Sequence, residues 1–109
     1  MSYFHDTCEL AAFSPEKMKK TNLYESPRMF CDLYCLEPGQ SQKVHRHEGN
    51  DKIYHVLSGR CAVTVGEETR SLDPGHTAVA PSGIDHGVVN ESKERVTLLV
   101  VMAPHPSYG

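Results

Sequence analysis

Two short stretches of this 109-residue chain carry side chains that can hold a metal ion. The first runs Gly39, His45, His47; the second runs Gly75, Pro81, Gly83, His86, Asn90. Histidines at i and i+2 project to the same side of a strand or strand end. Glycine and proline at such positions set tight turns that other residues would strain, so each stretch specifies backbone geometry and a ligand together. If the turns bring His86 to the His45/His47 pair, three imidazoles converge. Three neutral nitrogen donors leave positions open on a divalent ion for water or substrate, and they suit Zn, Fe, Ni, Mn or Cu better than Mg or Ca.

Elements able to position these residues are legible as short β-rich runs between turn signals. Ser26-Pro27, Pro38-Gly39, Ser58-Gly59, Pro74-Gly75 and Pro81-Ser82-Gly83 punctuate the chain, and such spacing predicts an all-β sandwich or barrel. Strands are expected at 9–13, 17–24, 29–37, 42–45, 52–57, 60–65, 68–72, 76–80, 86–90 and 96–102. The one helix candidate is 14–20, where Ser14 can cap and Pro15 can open a turn. Residues 103–109, with two prolines, are expected to fray.

Length and charge narrow the function classes. The chain fits one domain, read as an N-terminal arm and strands over 1–27, a barrel over 28–102 and a tail over 103–109. Net charge is −3, and the basic cluster Lys17, Lys19 and Lys20 is too short to be a nucleic-acid surface, so it reads as a solvated face. Met1 to Leu10 lacks a signal-peptide pattern and no apolar run approaches a membrane span, so a cytoplasmic protein with neither nucleic-acid nor membrane partners is expected. Four cysteines, Cys8, Cys31, Cys35 and Cys61, are then expected to be buried, inert thiols. Cys31 and Cys35 lie on one strand with α-carbons about 13 Å apart, too far to bridge. His5, His55, His76 and His105 carry no motif and read as exposed or packing residues.

The two stretches together resemble the signature motifs of the cupin superfamily, with the short intermotif spacing of small single-domain bacterial cupins. The resemblance implies an antiparallel jelly-roll barrel, also described as a double-stranded β-helix, usually dimeric, with a central metal. It places His45, His47 and His86 at the three histidine ligands. It also implies a glutamate ligand, and here the chain departs from the pattern: counted back from Gly59, that position is Lys52. Asp51 is the carboxylate at an allowed spacing. Strand parity separates the two, because an inward Lys52 brings Tyr54 and Val56 inward, whereas an inward Asp51 brings Ile53 and His55. The first register is favoured, and Asp51 reaches the metal only if the strand begins after it.

Two functions follow as expectations. One is a small metal-dependent cupin, a dimer, binding an oxygen-bearing small molecule at His45, His47 and His86, with Asp51 as a fourth ligand candidate and with oxygenase or isomerase chemistry permitted. Lys52 and Tyr54 are its expected interior polar residues, an anion anchor and a substrate-positioning hydroxyl. The other is a metal-free ligand-binding or sensing barrel in which Lys52 holds a carboxylate.

Overall fold

The computed structural model describes residues 2–108; Met1 and Gly109, the ends of the expected arm and tail, lie outside it. A short helix, α1 (Thr7–Leu10), precedes nine strands: β1 (Lys19–Ser26), β2 (Met29–Leu36), β3 (Ser41–His45), β4 (Asp51–Ser58), β5 (Cys61–Val65), β6 (Glu68–Leu72), β7 (Thr77–Ala80), β8 (His86–Val89) and β9 (Val96–Ala103). They form a five-stranded sheet, ordered β1-β2-β9-β4-β7, and a four-stranded sheet, ordered β3-β8-β5-β6. Every pairing is antiparallel. This is the jelly roll implied by the resemblance.

Alternation in the strands builds the core between the sheets. Tyr34 and Leu36 from β2, Tyr54 and Val56 from β4, Val96, Leu98 and Val100 from β9, Cys61 and Val63 from β5 and Val88 from β8 form one buried cluster. Each fully buried large apolar side chain contributes roughly 1.5–3 kcal/mol relative to exposure, and period-two patterning makes a one-residue slip costly. The site therefore rests on walls whose register is strongly specified.

Three expectations at the chain ends are corrected. Residues 9–13 do not form a strand, because Asp6 caps a helical turn, its Oδ1 accepting from the N–H groups of Cys8 at 2.9 Å and Glu9 at 3.4 Å. Residues 14–20 do not form a helix. Lys19 and Lys20 pair with Cys35 and Tyr34 instead, and a ladder on an established sheet outweighs two isolated helical turns. The tail does not fray over its described residues: Pro106–Tyr108 forms a 3-10 turn. His105 is buried there, edge-on to Phe30 at 5.6 Å.

The cysteines are all free, but Cys8 is exposed and Cys31 half-buried, so only Cys35 and Cys61 match the expected buried thiols. Cys8 sits on the surface helix, which buries no residue. No helix among the described residues is long and apolar enough to cross a membrane.

Candidate metal centre

The three motif histidines converge. His45 closes β3 and pairs directly with His86, the first residue of β8; His47 lies in the loop that follows β3. One ring nitrogen from each lies within 4.8 Å of the others, and ring centroids are 5.0 Å apart for His45–His47, 4.5 Å for His45–His86 and 5.6 Å for His47–His86. Backbone stitching holds the two motif loops in this arrangement. The Gly83 N–H donates to the His47 carbonyl at 2.8 Å, the Gly49 N–H to Ser82 Oγ at 2.6 Å, and Arg46 pairs with Asp85 at 2.8 Å.

Ring tautomers follow from partners. His45 Nδ1 lies 2.7 Å from the Lys43 carbonyl and His86 Nδ1 lies 3.1 Å from the Ile84 carbonyl. A carbonyl only accepts, so both rings carry their proton on Nδ1 and present the bare Nε2 lone pair. His86 Nε2 is buried and has no hydrogen-bond partner among the described residues. A buried acceptor left in this way is costly, and a metal ion is one group that would satisfy it. Burial, outweighing its Ile84 contact, pushes the His86 imidazole down to about 4. Burial first, then His45 and the two lysines Lys52 and Lys20, lowers His47 as well. For His86 and His47 both shifts favour the neutral ring, the state in which imidazole ligates. The donor set, its tautomers and the orphaned Nε2 all fit a divalent transition metal.

Asp51 is not in this cluster. It is the first residue of β4, so it obeys strand alternation and faces outward, exposed, with Ile53. Its Oδ1 accepts the Ser82 N–H at 3.0 Å, so the carboxylate ties β4 to the second motif loop.

Lys52, Tyr54 and Val56 face inward, the register favoured by parity. Lys52 is 1% exposed. Its ammonium donates to Gln42 Oε1 at 3.1 Å and stands 5.1 Å from the Tyr34 ring centre and 5.0 Å from that of Tyr54. Desolvated cation–π contacts of this kind are worth about 2 kcal/mol, and here they partly offset the burial of charge. Burial pushes the Lys52 amine down to about 7, with Lys20 adding to the shift and Asp32 opposing it. Tyr54 Oη donates to the same Gln42 Oε1 at 2.8 Å, and Gln42 Nε2 donates to Tyr34 Oη at 3.3 Å. Burial raises both phenols far above neutrality, so both stay protonated. Tyr54 also meets His86 edge-on, centroids 6.1 Å apart, joining this polar floor to the histidine layer.

Gln42 escapes a reading of the sequence. Strict alternation from His45 puts Lys43, not Gln42, on the inner side, but the pairing of β3 with β8 shifts register between Gln42 and His45. That bulge turns both Gln42 and His45 inward. Gly87 makes room for it, since a Cβ there would lie 2.9 Å from the Gln42 carbonyl oxygen and from the Val44 nitrogen. A glycine one residue after a candidate ligand was the available signal. Asn90 is architectural: buried, its amide donates to the carbonyls of Leu36 at 3.1 Å and Glu94 at 2.7 Å.

Comparison with known proteins agrees with this fold. Residues 32–102 match the Cupin domain family model. The chain is 38% identical over 81 residues to the uncharacterized protein SCO3923 of Streptomyces coelicolor, covering 72% of this chain and 73% of that protein. It is 26% identical over 85 residues to the oxalate-binding protein of Thermotoga maritima, covering 78% and 69%. Among solved structures, TT1209 from Thermus thermophilus superposes with a TM-score of 0.93 at 52% identity, over 96% of this chain and 100% of that one.

Proposed function

Because this chain belongs to the cupin domain family, we propose that its barrel holds one divalent transition metal on His45, His47 and His86 and binds a small carboxylate against it. The single observation that carries the reading is the buried, unpartnered His86 Nε2, aimed into a cluster whose two other rings come within ligating reach. When bound, the metal supplies Lewis-acid polarisation of a ligand oxygen. The remaining work falls to the chain. Lys43 and Ile84 carbonyls hold two rings in the ligating tautomer. Lys52 anchors an anionic group, and the Tyr54 hydroxyl, whose one proton goes to Gln42 Oε1, fixes the amide oxygen that also receives the Lys52 ammonium. Zn, Fe, Ni, Mn and Cu all suit the donor set.

Ligand capture is favoured over an oxygenase or isomerase role, because the interior group that titrates near neutrality, the Lys52 amine at about 7, is already bonded to Gln42 and flanked by the Tyr34 and Tyr54 rings as an anion anchor. Tyr54 is held protonated, and the histidines are committed to the metal. The printed name of the Thermotoga maritima relative, an oxalate-binding protein, supports a small carboxylate as ligand. A second reading, a metal-free barrel with Lys52 as sole anion anchor, is favoured by the lysine at the position where the family resemblance implies an acidic ligand. Four free thiols fit a reducing compartment, on which we assign the chain to the cytoplasm.

Calorimetric titration of Zn into protein prepared without a nickel column separates the readings. One Zn per chain is expected, with affinity unchanged within about twofold by Asp51→Ala, since that carboxylate serves Ser82. No binding of Zn, Fe or Ni supports the metal-free barrel, and a tenfold or larger loss in Asp51→Ala restores Asp51 as a ligand, about 1.4 kcal/mol.

The barrel is also proposed to dimerise. Val79, Ile53, Val101 and Cys31 form one outward row across β7, β4, β9 and β2, with Val79 56% and Ile53 39% exposed. A second copy covering this row removes it from water. Sedimentation equilibrium is expected to give twice 12.1 kDa at micromolar concentration, and Ile53→Glu is expected to shift it to monomer; a wild-type monomer overturns this.

A further inference from the structure

Among the described residues the one buried carboxylate is Asp32, and it does not stand beside the histidines. Three neutral imidazoles leave a bound ion with its full double charge, and Lys52 adds an ammonium on the same side of β4 where the resemblance implies an acidic ligand. Among the described residues, no carboxylate oxygen lies within 4.0 Å of Lys52 Nζ. Its one hydrogen-bond acceptor is the neutral Gln42 Oε1. Asp32 acts on it only from a distance, being held by the Asn22 amide at 2.7 Å. Lys20 brings a second ammonium to within 5.3 Å of the Tyr34 ring centre, from the exposed edge of the barrel. With an ion held on the three rings, its charge and the Lys52 ammonium would flank the Tyr54 ring from two sides. The Tyr54 ring spans them, touching His86 at one side and underlying the Lys52 ammonium at the other.

Cations held together at low effective dielectric repel unless an anion joins them. We propose that the metal and a small dicarboxylate bind this barrel as a couple, one carboxylate occupying the ion's open positions and the other taken by Lys52, so that each raises the affinity of the other. The inference rests on the metal reading above and deepens it by naming the ligand class. A dicarboxylate is specified rather than a monocarboxylate because two separate cationic centres need two separately placed oxygen groups. Lys52 then acts as a specificity residue: it weakens the binding of metal alone and rewards the anion that neutralises it. Linkage requires that the factor by which the anion improves metal binding equal the factor by which metal improves anion binding.

The test titrates Zn into apo protein with and without saturating malonate, corrected for Zn held by free malonate, and titrates malonate into apo and Zn-loaded protein. Wild type is expected to bind Zn at least tenfold more tightly with malonate, to gain under threefold with acetate, and to return the same factor in the reverse titration. Lys52→Met, which keeps the buried stem, is expected to bind Zn alone more tightly and to retain under twofold of the malonate effect. Lys52→Glu is expected to tighten Zn binding at least tenfold without anion and to abolish the coupling. Circular dichroism establishes that each variant is folded, and Lys52→Met carries the test if Lys52→Glu does not fold. Zn affinity in wild type that malonate leaves unchanged within twofold overturns the coupling while preserving the metal site. So does a malonate effect undiminished in Lys52→Met. Failure of wild type and both variants to bind Zn under every condition overturns the metal reading and the coupling with it.

Discussion

His86→Ala is expected to weaken Zn binding at least about 100-fold, some 2.7 kcal/mol, while leaving the barrel folded. His86 supplies the most deeply buried of the three donors, with Nδ1 already committed to Ile84 and Nε2 without a partner among the described residues. Removing the ring deletes a preoriented ligand, a larger change than the loss of an outer hydrogen-bond partner, which costs about 10–100-fold in metal affinity. The effect on folding is smaller, because the lost packing is offset by removal of an unsatisfied polar atom. Calorimetric titration of Zn together with urea denaturation checks both halves. Unchanged Zn affinity in the folded variant contradicts a site built on this ring.

Gly59→Ala is expected to destabilise the barrel by about 3–5 kcal/mol, in the range reserved for a named structural defect. Gly59 joins β4 to β5 with φ of +77°, and a Cβ there would stand 2.2 Å from the Arg95 carbonyl oxygen and 3.0 Å from the Val96 Cα. Both are backbone atoms, and Val96 is fully buried at the start of β9, so neither can yield without moving the central strand. Gly75→Ala is the control. Its φ is +93°, and a Cβ added there would meet nothing within 4 Å, so it should lose only the left-handed conformational penalty of about 1–2 kcal/mol. Urea midpoints at constant slope measure the difference. Equal losses in the two variants contradict the argument from close backbone approach.

The interior wall of β4 was legible because alternation is local: Lys52, Tyr54 and Val56 share a face whatever the rest of the chain does. The histidine cluster was legible for the same reason, since turn residues and ligands are written together in both motifs. What alternation could not carry is equally physical. Gln42 comes inward through a bulge, a register shift that depends on the partner strand. Asp51 looked available as a ligand because its partner, the Ser82 N–H, belongs to a loop 31 residues away. The capped turn at Thr7–Leu10 hid behind β-compatible residues, and a single aspartate at position 6 decided it. In each case the deciding contact was either long in sequence or carried by one side chain.

The central claim, that three histidines hold one ion here, is tested most directly by anomalous scattering from crystals of Zn-loaded protein prepared without an affinity metal. One peak per chain is predicted, about 2.0–2.1 Å from Nε2 of His45, Nε2 of His86 and a ring nitrogen of His47, with oxygen atoms completing the coordination. Absence of a peak among these three rings, or a peak ligated elsewhere in the chain, contradicts it.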